Sequence, residues 1–293
     1  LTAGEIHLLE NLRFHPGETA NDPNFSWYLS RHANVYINDA FGTAHRAHAS
    51  TTGVGSHVAE SVMGFLMERE LKYLSEELKD PGRPFVIILG GKKVSDKIGV
   101  INALFDKADT ILIGGAMQYA FRKAQGHDVG ESHVVDEDIP VARGLLEKAE
   151  DQGVDLILPA DSIEADSFSG DAATSNIMPY AQGGGIREGW EGLDIGEKAI
   201  DEFCNVISSA KSVVWNGPMG VFEIDAFSRG TKAVAQAVAD SDALSIIGGG
   251  DSVTAIKKFG LADGVTFIST GGGASLELLE GKELPGVSCL DDL

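Results

Sequence analysis

The sequence predicts an α/β fold in which helices cover both faces of a parallel β-sheet. Short apolar runs rich in β-branched residues alternate with longer amphipathic stretches, which is typical of repeated strand–helix units. The expected strands are residues 34–39, 85–89, 110–113, 154–158, 212–215, 244–247 and 265–268. The expected helices are residues 96–105, 140–152, 198–210 and 231–241. The length of 293 residues predicts about two domains.

Three other segments complete the expected order of elements. Residues 6–9 are apolar and predict a strand near the start. Residues 62–78 carry apolar side chains at helical spacing, and Asp80-Pro81-Gly82 ends the pattern, so one uninterrupted helix joining two domains is expected there. Residues 161–189 are rich in serine, glycine and aspartate and predict a surface loop or short hairpin.

Composition and charge exclude several classes of protein. The hydrophobic share of 43% and the charged share of 23% are ordinary for a soluble globular protein. The formal charge of −21 argues against nucleic acid as a partner, because such a surface repels phosphate backbones. The apolar runs are too short to cross a membrane, and no signal peptide is recognised. The two cysteines predict neither a disulfide framework nor a metal site, so we expect a cytoplasmic protein.

Glycine or a small polar cluster follows five of the six strands after residue 84. In open α/β sheets, ligands bind outside the carboxyl ends of the strands, where glycine allows close approach and helix starts offer free N–H groups. Tight turns alone explain one such glycine but not five at one edge. The sequence therefore predicts an anion site there. The clusters are Gly90-Gly91, Gly114-Gly115, Asn216-Gly217-Pro218, Gly248-Gly249-Gly250-Asp251 and Gly271-Gly272-Gly273.

The first of these loops is strongly basic in an acidic chain. Lys92, Lys93 and Lys97 are expected to open a helix, with Lys93 and Lys97 on one face. Like charges on one face are unfavourable unless an anion lies between them, and phosphate is the natural candidate. A solvated lysine run is the alternative interpretation.

Acidic side chains near the other loops have two interpretations. Asp251 is either an N-cap or, with the hydroxyl of Ser252, part of a Mg²⁺ site beside phosphates. Glu223 is a second carboxylate that could meet a ribose hydroxyl. His45, Arg46 and His48 form a basic cluster better suited to an anion than to a metal.

Several nucleotide and hydrolase motifs are absent from the sequence. No G-x-x-x-x-G-K-[ST] is present, which excludes a P-loop enzyme. No G-x-G-x-x-G follows a strand, which argues against a Rossmann oxidoreductase. Neither a G-x-S-x-G elbow nor an H-E-x-x-H motif occurs. From these patterns alone the chain is a phosphate-binding α/β protein.

The longer motifs resemble those of the phosphoglycerate kinase family. The similarity runs essentially from end to end and includes Leu8-Leu9-Glu10-Asn11-Leu12-Arg13-Phe14, residues 38–48, the basic loop of residues 90–97 (the lysine loop), and residues 215–223, 248–252 and 270–285. It implies two lobes of Rossmann-like three-layer parallel sheet, the N-terminal lobe being incomplete. It also implies reversible phosphoryl transfer between ATP and 3-phosphoglycerate, giving ADP and 1,3-bisphosphoglycerate in glycolysis and gluconeogenesis, by a monomer that uses Mg²⁺.

The resemblance implies a domain plan and a role for each matching residue. Residues 1–61 would be the C-terminal part of the phosphoglycerate-binding domain, 62–82 the interdomain helix, 83–285 the nucleotide-binding domain and 286–293 a tail. The implied catalytic residues are Lys93, Lys97, Gly272, Gly273 and Arg46, and Arg13 and Arg46 would grip the acid substrate. Asp251 would hold Mg²⁺. The implied nucleotide-binding residues are Gly90, Gly91, Lys97, Gly114, Gly115, Gly192, Leu193, Asn216, Pro218, Val221, Glu223, Gly249, Gly250, Asp251 and Ser252.

The sequence departs from the family pattern in two respects. Lys92 stands where the family usually has alanine or another small residue, so an extra cation is expected beside the phosphate contacts. The opening motifs of the family, of the D-F-N-V-P and H-L-G-R-P type, are not found in this sequence. The alternative function is therefore an inactive nucleotide-binding fragment that lacks most of the phosphoglycerate site.

Overall fold

A computed structural model describes residues 4–291 of the chain. The described residues form two compact units, which are considered separately below. The first unit runs to Glu77 and takes up the chain again from Thr270, and the second unit is Leu78–Ser269. This division differs from the predicted plan, because the chain from Thr270 onward bonds to the first unit. The backbone N–H of Thr270 donates to Glu70 (2.7 Å), and Asn38 donates to the carbonyl of Gly286 (2.8 Å).

The strands and helices of the described residues are numbered in chain order. The strands are β1 Val35–Asn38, β2 Glu60–Met63, β3 Phe85–Leu89, β4 Thr110–Ile113, β5 Asp155–Ile157, β6 Ser162–Ala165, β7 Thr174–Asn176, β8 Glu191–Ile195, β9 Ser212–Asn216, β10 Leu244–Gly248 and β11 Phe267–Ile268. The helices are α1 Pro16–Thr19, α2 Pro23–Ser30, α3 Phe65–Leu71, α4 Ile98–Phe105, α5 Gln118–Ala124, α6 Asp138–Gln152, α7 Glu197–Ser209, α8 Arg229–Asp240, α9 Gly250–Lys258, α10 Gly273–Leu279 and α11 Pro285–Ser288.

The second unit is built on a parallel sheet of six strands in the order β11-β10-β9-β3-β4-β5. All six were predicted from the sequence, which confirms the α/β fold class. Every residue of β3 and β9 is buried, as expected for central strands covered on both faces. One core cluster joins the sheet to α7 and α8 through residues such as Trp215, Phe203 and Val234.

The register of this sheet brings the strand ends to one edge. Leu89 pairs with Asn216 in β9 and with Ile113 in β4, and Asn216 pairs with Gly248 in β10. The loops that follow β3, β4, β9 and β10 therefore begin at the same level, as the glycine pattern predicted. The fifth cluster, Gly271–Gly273, follows β11 but belongs to the first unit.

Residues 161–189 are more regular than a surface loop. Strands β6 and β7 pair antiparallel, which confirms the hairpin alternative, and β8 pairs with the other side of β6. The resulting three-stranded sheet was not predicted as such. Its strand β8 carries Gly192 and Leu193, two of the residues implied to bind nucleotide.

Two predictions for the first unit are wrong. Residues 6–9 form no strand with any of the described residues. Ile6 and Leu8 are 94% and 97% exposed, so the apolar side chains on which the strand was predicted are not buried. The predicted helix over residues 62–78 begins only at Phe65, because Glu60–Met63 pairs in parallel with β1. The helix then changes to a π-helical turn at Lys72–Glu76. Within the described residues, no helix has the length and apolar character needed to cross a membrane.

Candidate functional site

The loops after β3, β4 and β9 interlock through their backbones. The N–H of Gly90 donates to the carbonyl of Asn216 (3.0 Å), and the N–H of Gly115 donates to the carbonyl of Met219 (2.9 Å). A Cβ atom on Gly90 or Gly115 would overlap the carbonyl oxygen of Pro218. Glycine is therefore required at these positions by packing between loops, before any ligand is considered.

Neither packing nor backbone conformation requires the residue at Gly250 to be glycine. It is the first residue of α9, its φ is not in the left-handed region, and a Cβ built on it meets nothing within 4 Å. Its neighbour Gly249, by contrast, has φ +83°, which disfavours other residues. Open space beside the first turn of a nine-residue helix suits the close approach of an anion to the backbone N–H groups.

Lys97 and Asn216 form a buried polar pair at the same edge. The Lys97 Nζ donates to Asn216 Oδ1 (2.5 Å), and Asn216 is 1% exposed. Burial lowers the pKa of Lys97, while the carboxylates of Asp96 and Asp251 act in the opposite direction. The amide nitrogen of Asn216 is buried without a hydrogen-bond partner. An unmatched donor beside a partly desolvated ammonium calls for an anionic acceptor.

The three lysines of the lysine loop, residues 90–97, lie outside the helix that they were predicted to open. Helix α4 begins at Ile98, with Lys97 as its N-cap residue, so Lys93 and Lys97 do not share a helical face. The argument from i,i+4 spacing is therefore wrong. Lys92 and Lys93 are exposed, whereas Val94 is completely buried and fixes the middle of the loop.

Asp251 and Ser252 differ in surroundings although they are adjacent. Asp251 lies in the first turn of α9 and is exposed; the N-cap position is occupied by Gly249, so the N-cap interpretation of Asp251 is wrong. Ser252 is completely buried, and its Oγ accepts the N–H of Gly217 (2.6 Å). Ser252 thus holds the β9 loop in place, and Asp251 is the side chain available to a cation.

The residues implied to surround adenosine are joined through the β9 loop. The N–H of Val221 donates to the carbonyl of Leu193 (2.9 Å), and Gly114 packs closely against Met219. Gly192 leaves room for the hydroxyl of Tyr119, which is buried without a partner. Glu223, further along the same loop, is exposed and can reach a ligand at the surface.

Sequence reasoning missed residues that hold this loop from a distance. The Oγ1 of buried Thr231, in α8, accepts the N–H groups of Met219 (3.0 Å) and Gly220 (3.2 Å). Asp194, at the end of β8, accepts the N–H of Gly230 (2.7 Å), and its carboxylate fills the space beside Gly220. No local motif marks either residue, since these hydrogen bonds join residues of different elements.

Asp194 predicts a measurable pH dependence of stability. Burial raises its pKa to about 7, against the opposing effects of two backbone hydrogen bonds and Arg229. The folded state then binds more protons than the unfolded state between about pH 4 and pH 7. The stability that protonated Asp194 contributes is therefore lost as the pH rises through 7. Between pH 6 and pH 8 the free energy of unfolding of the wild type should fall by about 1 kcal/mol relative to Asp194→Asn.

The difference in the free energy of unfolding between the wild type and Asp194→Asn isolates the contribution of Asp194, because every other titratable group is present in both proteins. Denaturant unfolding at the two pH values gives the measurement. A wild-type-to-variant difference that does not change with pH would show that Asp194 ionises normally in the folded state.

In the first unit, the implied acid-binding residues lie in different surroundings. Arg13 lines a cleft of about 490 Å³ whose other lining residues include Thr43 and His48, and Arg46 is not among them. The Arg46 Nε instead donates to His45 Nε2 (3.2 Å), and that nitrogen lies 3.5 Å from where a Cβ of Gly273 would be. Arg46, His45 and Gly273 are thus brought together.

The predicted basic cluster is only partly free for an anion. His48 Nδ1 lies 4.0 Å from the buried carboxylate of Glu18, whereas Arg46 is exposed. Gly272 has φ +53° and open space beside it, and α10 begins at Gly273. Within residues 4–291, no group of three or more histidine, cysteine, aspartate or glutamate side chains could hold a metal ion.

Comparison with known proteins places the chain in a family. A family model described as phosphoglycerate kinase matches residues 1–282. Phosphoglycerate kinase of Chlorobium phaeobacteroides is 58% identical over 295 residues, covering 100% of this chain and 73% of the relative. That of Akkermansia muciniphila is 56% identical, covering 99% of this chain and 72% of the relative.

Solved structures agree with these matches. The phosphoglycerate kinase of Coxiella burnetii has a TM-score of 0.89 at 41% identity and covers 95% of this chain and 71% of that structure. That of Pyrococcus horikoshii has a TM-score of 0.79 at 33% identity, covering 99% and 73%. Nothing in these matches favours the inactive-fragment alternative. The chain belongs to the phosphoglycerate kinase family, whose members are kinases that transfer a phosphoryl group to the carboxyl group of 3-phosphoglycerate.

Proposed function

We propose that this chain binds ATP or ADP with Mg²⁺ at the sheet edge of its second unit, and 3-phosphoglycerate or 1,3-bisphosphoglycerate through Arg13 and Arg46. We further propose that it works as a cytoplasmic monomer. The observation that carries the nucleotide assignment is the buried amide nitrogen of Asn216, which has no partner and lies beside Lys97. Two donors with unused capacity at a glycine-lined edge fit the phosphates of a nucleotide.

The residues at this edge divide the work on the nucleotide. Lys97, Asn216 and the first turn of α9 at Gly249 and Gly250 hold phosphate oxygens, and Ser252 keeps the β9 loop beside them. The adenosine contacts are Gly114, Gly115, Gly192, Leu193, Pro218 and Val221, with Glu223 on the ribose. Gly90 and Gly91 carry the chain from β3 into the lysine loop.

The donor set fits Mg²⁺ held jointly with phosphate. Mg²⁺ commonly keeps several waters and takes one or two carboxylates together with substrate phosphates. Asp251 is exposed and lies close enough to Lys97 to influence its pKa, so its carboxylate is available at the phosphate site. When bound, Mg²⁺ supplies positive charge to the phosphate oxygens during transfer.

The chemistry requires positioning and charge rather than a general base. The acceptor is a carboxylate, and a carboxyl group with a pKa of about 4 is ionised at neutral pH. The proposed catalytic group of the second unit is the cationic side chain of Lys93. Those of the first unit are the guanidinium of Arg46 and the backbone N–H groups at Gly272 and Gly273. Aligned donors of this kind stabilise the charge of a loose phosphoryl transition state.

Gly250→Ala tests the phosphate site. The methyl group enters the open space beside the first turn of α9, so the affinity for Mg-ADP should fall at least about tenfold, in the range of one lost charge-assisted contact. Stability should be unchanged or slightly higher, because the methyl group meets no protein atom within 4 Å. Calorimetric titration with ADP and Mg²⁺ gives the affinity, and coupled turnover with 3-phosphoglycerate confirms the reaction.

Gly144→Ala is the matched control. Gly144 lies in α6, is exposed, and also has nothing within 4 Å of a built Cβ. It should bind ADP as the wild type does. Wild-type ADP affinity in Gly250→Ala would contradict the placement of phosphate at this turn.

A further inference from the structure

A buried carboxylate from another element holds the lysine loop. Asp138, the first residue of α6, is 2% exposed. Its Oδ2 accepts the backbone N–H of Val94 (2.9 Å), and its Oδ1 accepts that of Ser95 (3.2 Å). A buried carboxylate is costly unless its oxygens find donors, so these two bonds fix the loop and the carboxylate together.

The held residues come directly after Lys93. The two ends of the loop are held by other hydrogen bonds. At one end the Gly90 N–H donates to the carbonyl of Asn216, and the Gly91 carbonyl accepts the Met117 N–H (2.9 Å). At the other end the Lys97 Nζ donates to Asn216 Oδ1. Between these ends the side chain of Lys93 is exposed. The backbone position from which Lys93 extends is therefore set by Val94 and Ser95, and through them by Asp138.

We propose that Asp138 is a positioning residue for Lys93. This inference rests on the proposed role of Lys93 at the transferring phosphoryl group. Both carboxylate oxygens of Asp138 accept backbone N–H groups, so the effect is on the location of the loop. Misplacing a catalytic group by about 1 Å can cost about a hundredfold in rate. Loss of the two hydrogen bonds to Asp138 should thus lower kcat more than the affinity for nucleotide, because that affinity depends on residues at the ends of the loop and beyond it.

The experiment compares Asp138→Asn and Asp138→Glu with a matched control. Asp138→Asn keeps the shape but loses one acceptor, and Asp138→Glu keeps the charge but displaces the carboxylate. In each folded variant kcat should fall about ten- to a hundredfold, with Kd for ADP within about threefold of the wild type. Amide exchange at Val94 and Ser95 should become faster, which reports the loss of the two bonds directly.

Asp161→Asn is the control for a purely structural carboxylate. Asp161 is 1% exposed and accepts the backbone N–H groups of Lys198 (3.2 Å) and Ala199 (2.9 Å) at the start of α7. It should lose stability as Asp138→Asn does but keep wild-type kcat. Wild-type kcat in either folded Asp138 variant would overturn the inference.

The Lys93→Ala variant separates this inference from the proposed function. Reduced kcat in Lys93→Ala together with wild-type kcat in the Asp138 variants would overturn the positioning role and leave the proposed function intact. Wild-type kcat in Lys93→Ala would overturn both. Reduced kcat in Lys93→Ala and in the Asp138 variants, with control behaviour in Asp161→Asn, is the result expected.

Discussion

Replacing Lys93 with alanine is expected to lower kcat by about a hundred- to a thousandfold, the usual cost of removing one transition-state donor. The affinity for ADP should stay within about threefold, because Lys97, Asn216 and the α9 start hold the nucleotide in our proposal. The side chain of Lys93 is exposed, so its removal should leave the fold unchanged. Steady-state kinetics and ADP titration on the same sample measure the two effects.

Lys92→Ala is the natural control for this prediction. Lys92 is the adjacent lysine, is equally classed as exposed, and carries the same charge. Removing it tests whether a general loss of positive charge near the phosphates matters, and kcat should fall by less than about tenfold. Equal losses of kcat and ADP affinity in Lys93→Ala would instead assign Lys93 to nucleotide binding and contradict its role in the transition state.

Replacing Gly90 with alanine is expected to destabilise the second unit by at least about 3 kcal/mol, at the upper end of overpacking effects. The new Cβ would overlap the carbonyl oxygen of Pro218 and approach that of Gly217. Both are backbone atoms, and the loop that carries them is tied to Ser252, Thr231 and Gly115. Because the obstacle cannot rotate away as a side chain would, the strands or the loop must shift.

Denaturant unfolding of Gly90→Ala, compared with Gly144→Ala, measures this effect. Alanine in place of an exposed helical glycine should stabilise the protein by about 0.5–1 kcal/mol. The two substitutions are chemically identical and differ in what the methyl group meets. A Gly90→Ala variant as stable as the wild type would show that the strand-end loops can separate at little cost.

The sequence by itself determined the sheet and the chemical character of its edge. Strands such as Phe85–Leu89 and Thr110–Ile113 were predicted with the bounds that the structure has, because short β-branched runs bounded by glycine have few alternatives. The gathering of four glycine loops at one edge followed from the parallel order alone. These are local or periodic properties, which can be recognised in the sequence without knowledge of tertiary contacts.

Tertiary structure alone decided what each residue at that edge contacts. Gly90 and Gly250 look alike in sequence, yet one is packed against Pro218 and the other faces open space. Ser252 was expected beside phosphate and proves to hold Gly217. Lys93 was placed on a helix that begins only at Ile98, and the loop before that helix donates two backbone N–H groups to Asp138.

Asp138, Asp194 and Thr231 were invisible to sequence reasoning for one physical reason. Each acts on backbone N–H groups that lie far away in the chain or that carry no signature of their own, and a carboxylate or hydroxyl accepts such donors without any local motif. Residue type therefore fixed which chemistry the sheet edge could support. The long-range hydrogen bonds that form only on folding decided which side chains hold the loops of that edge in place.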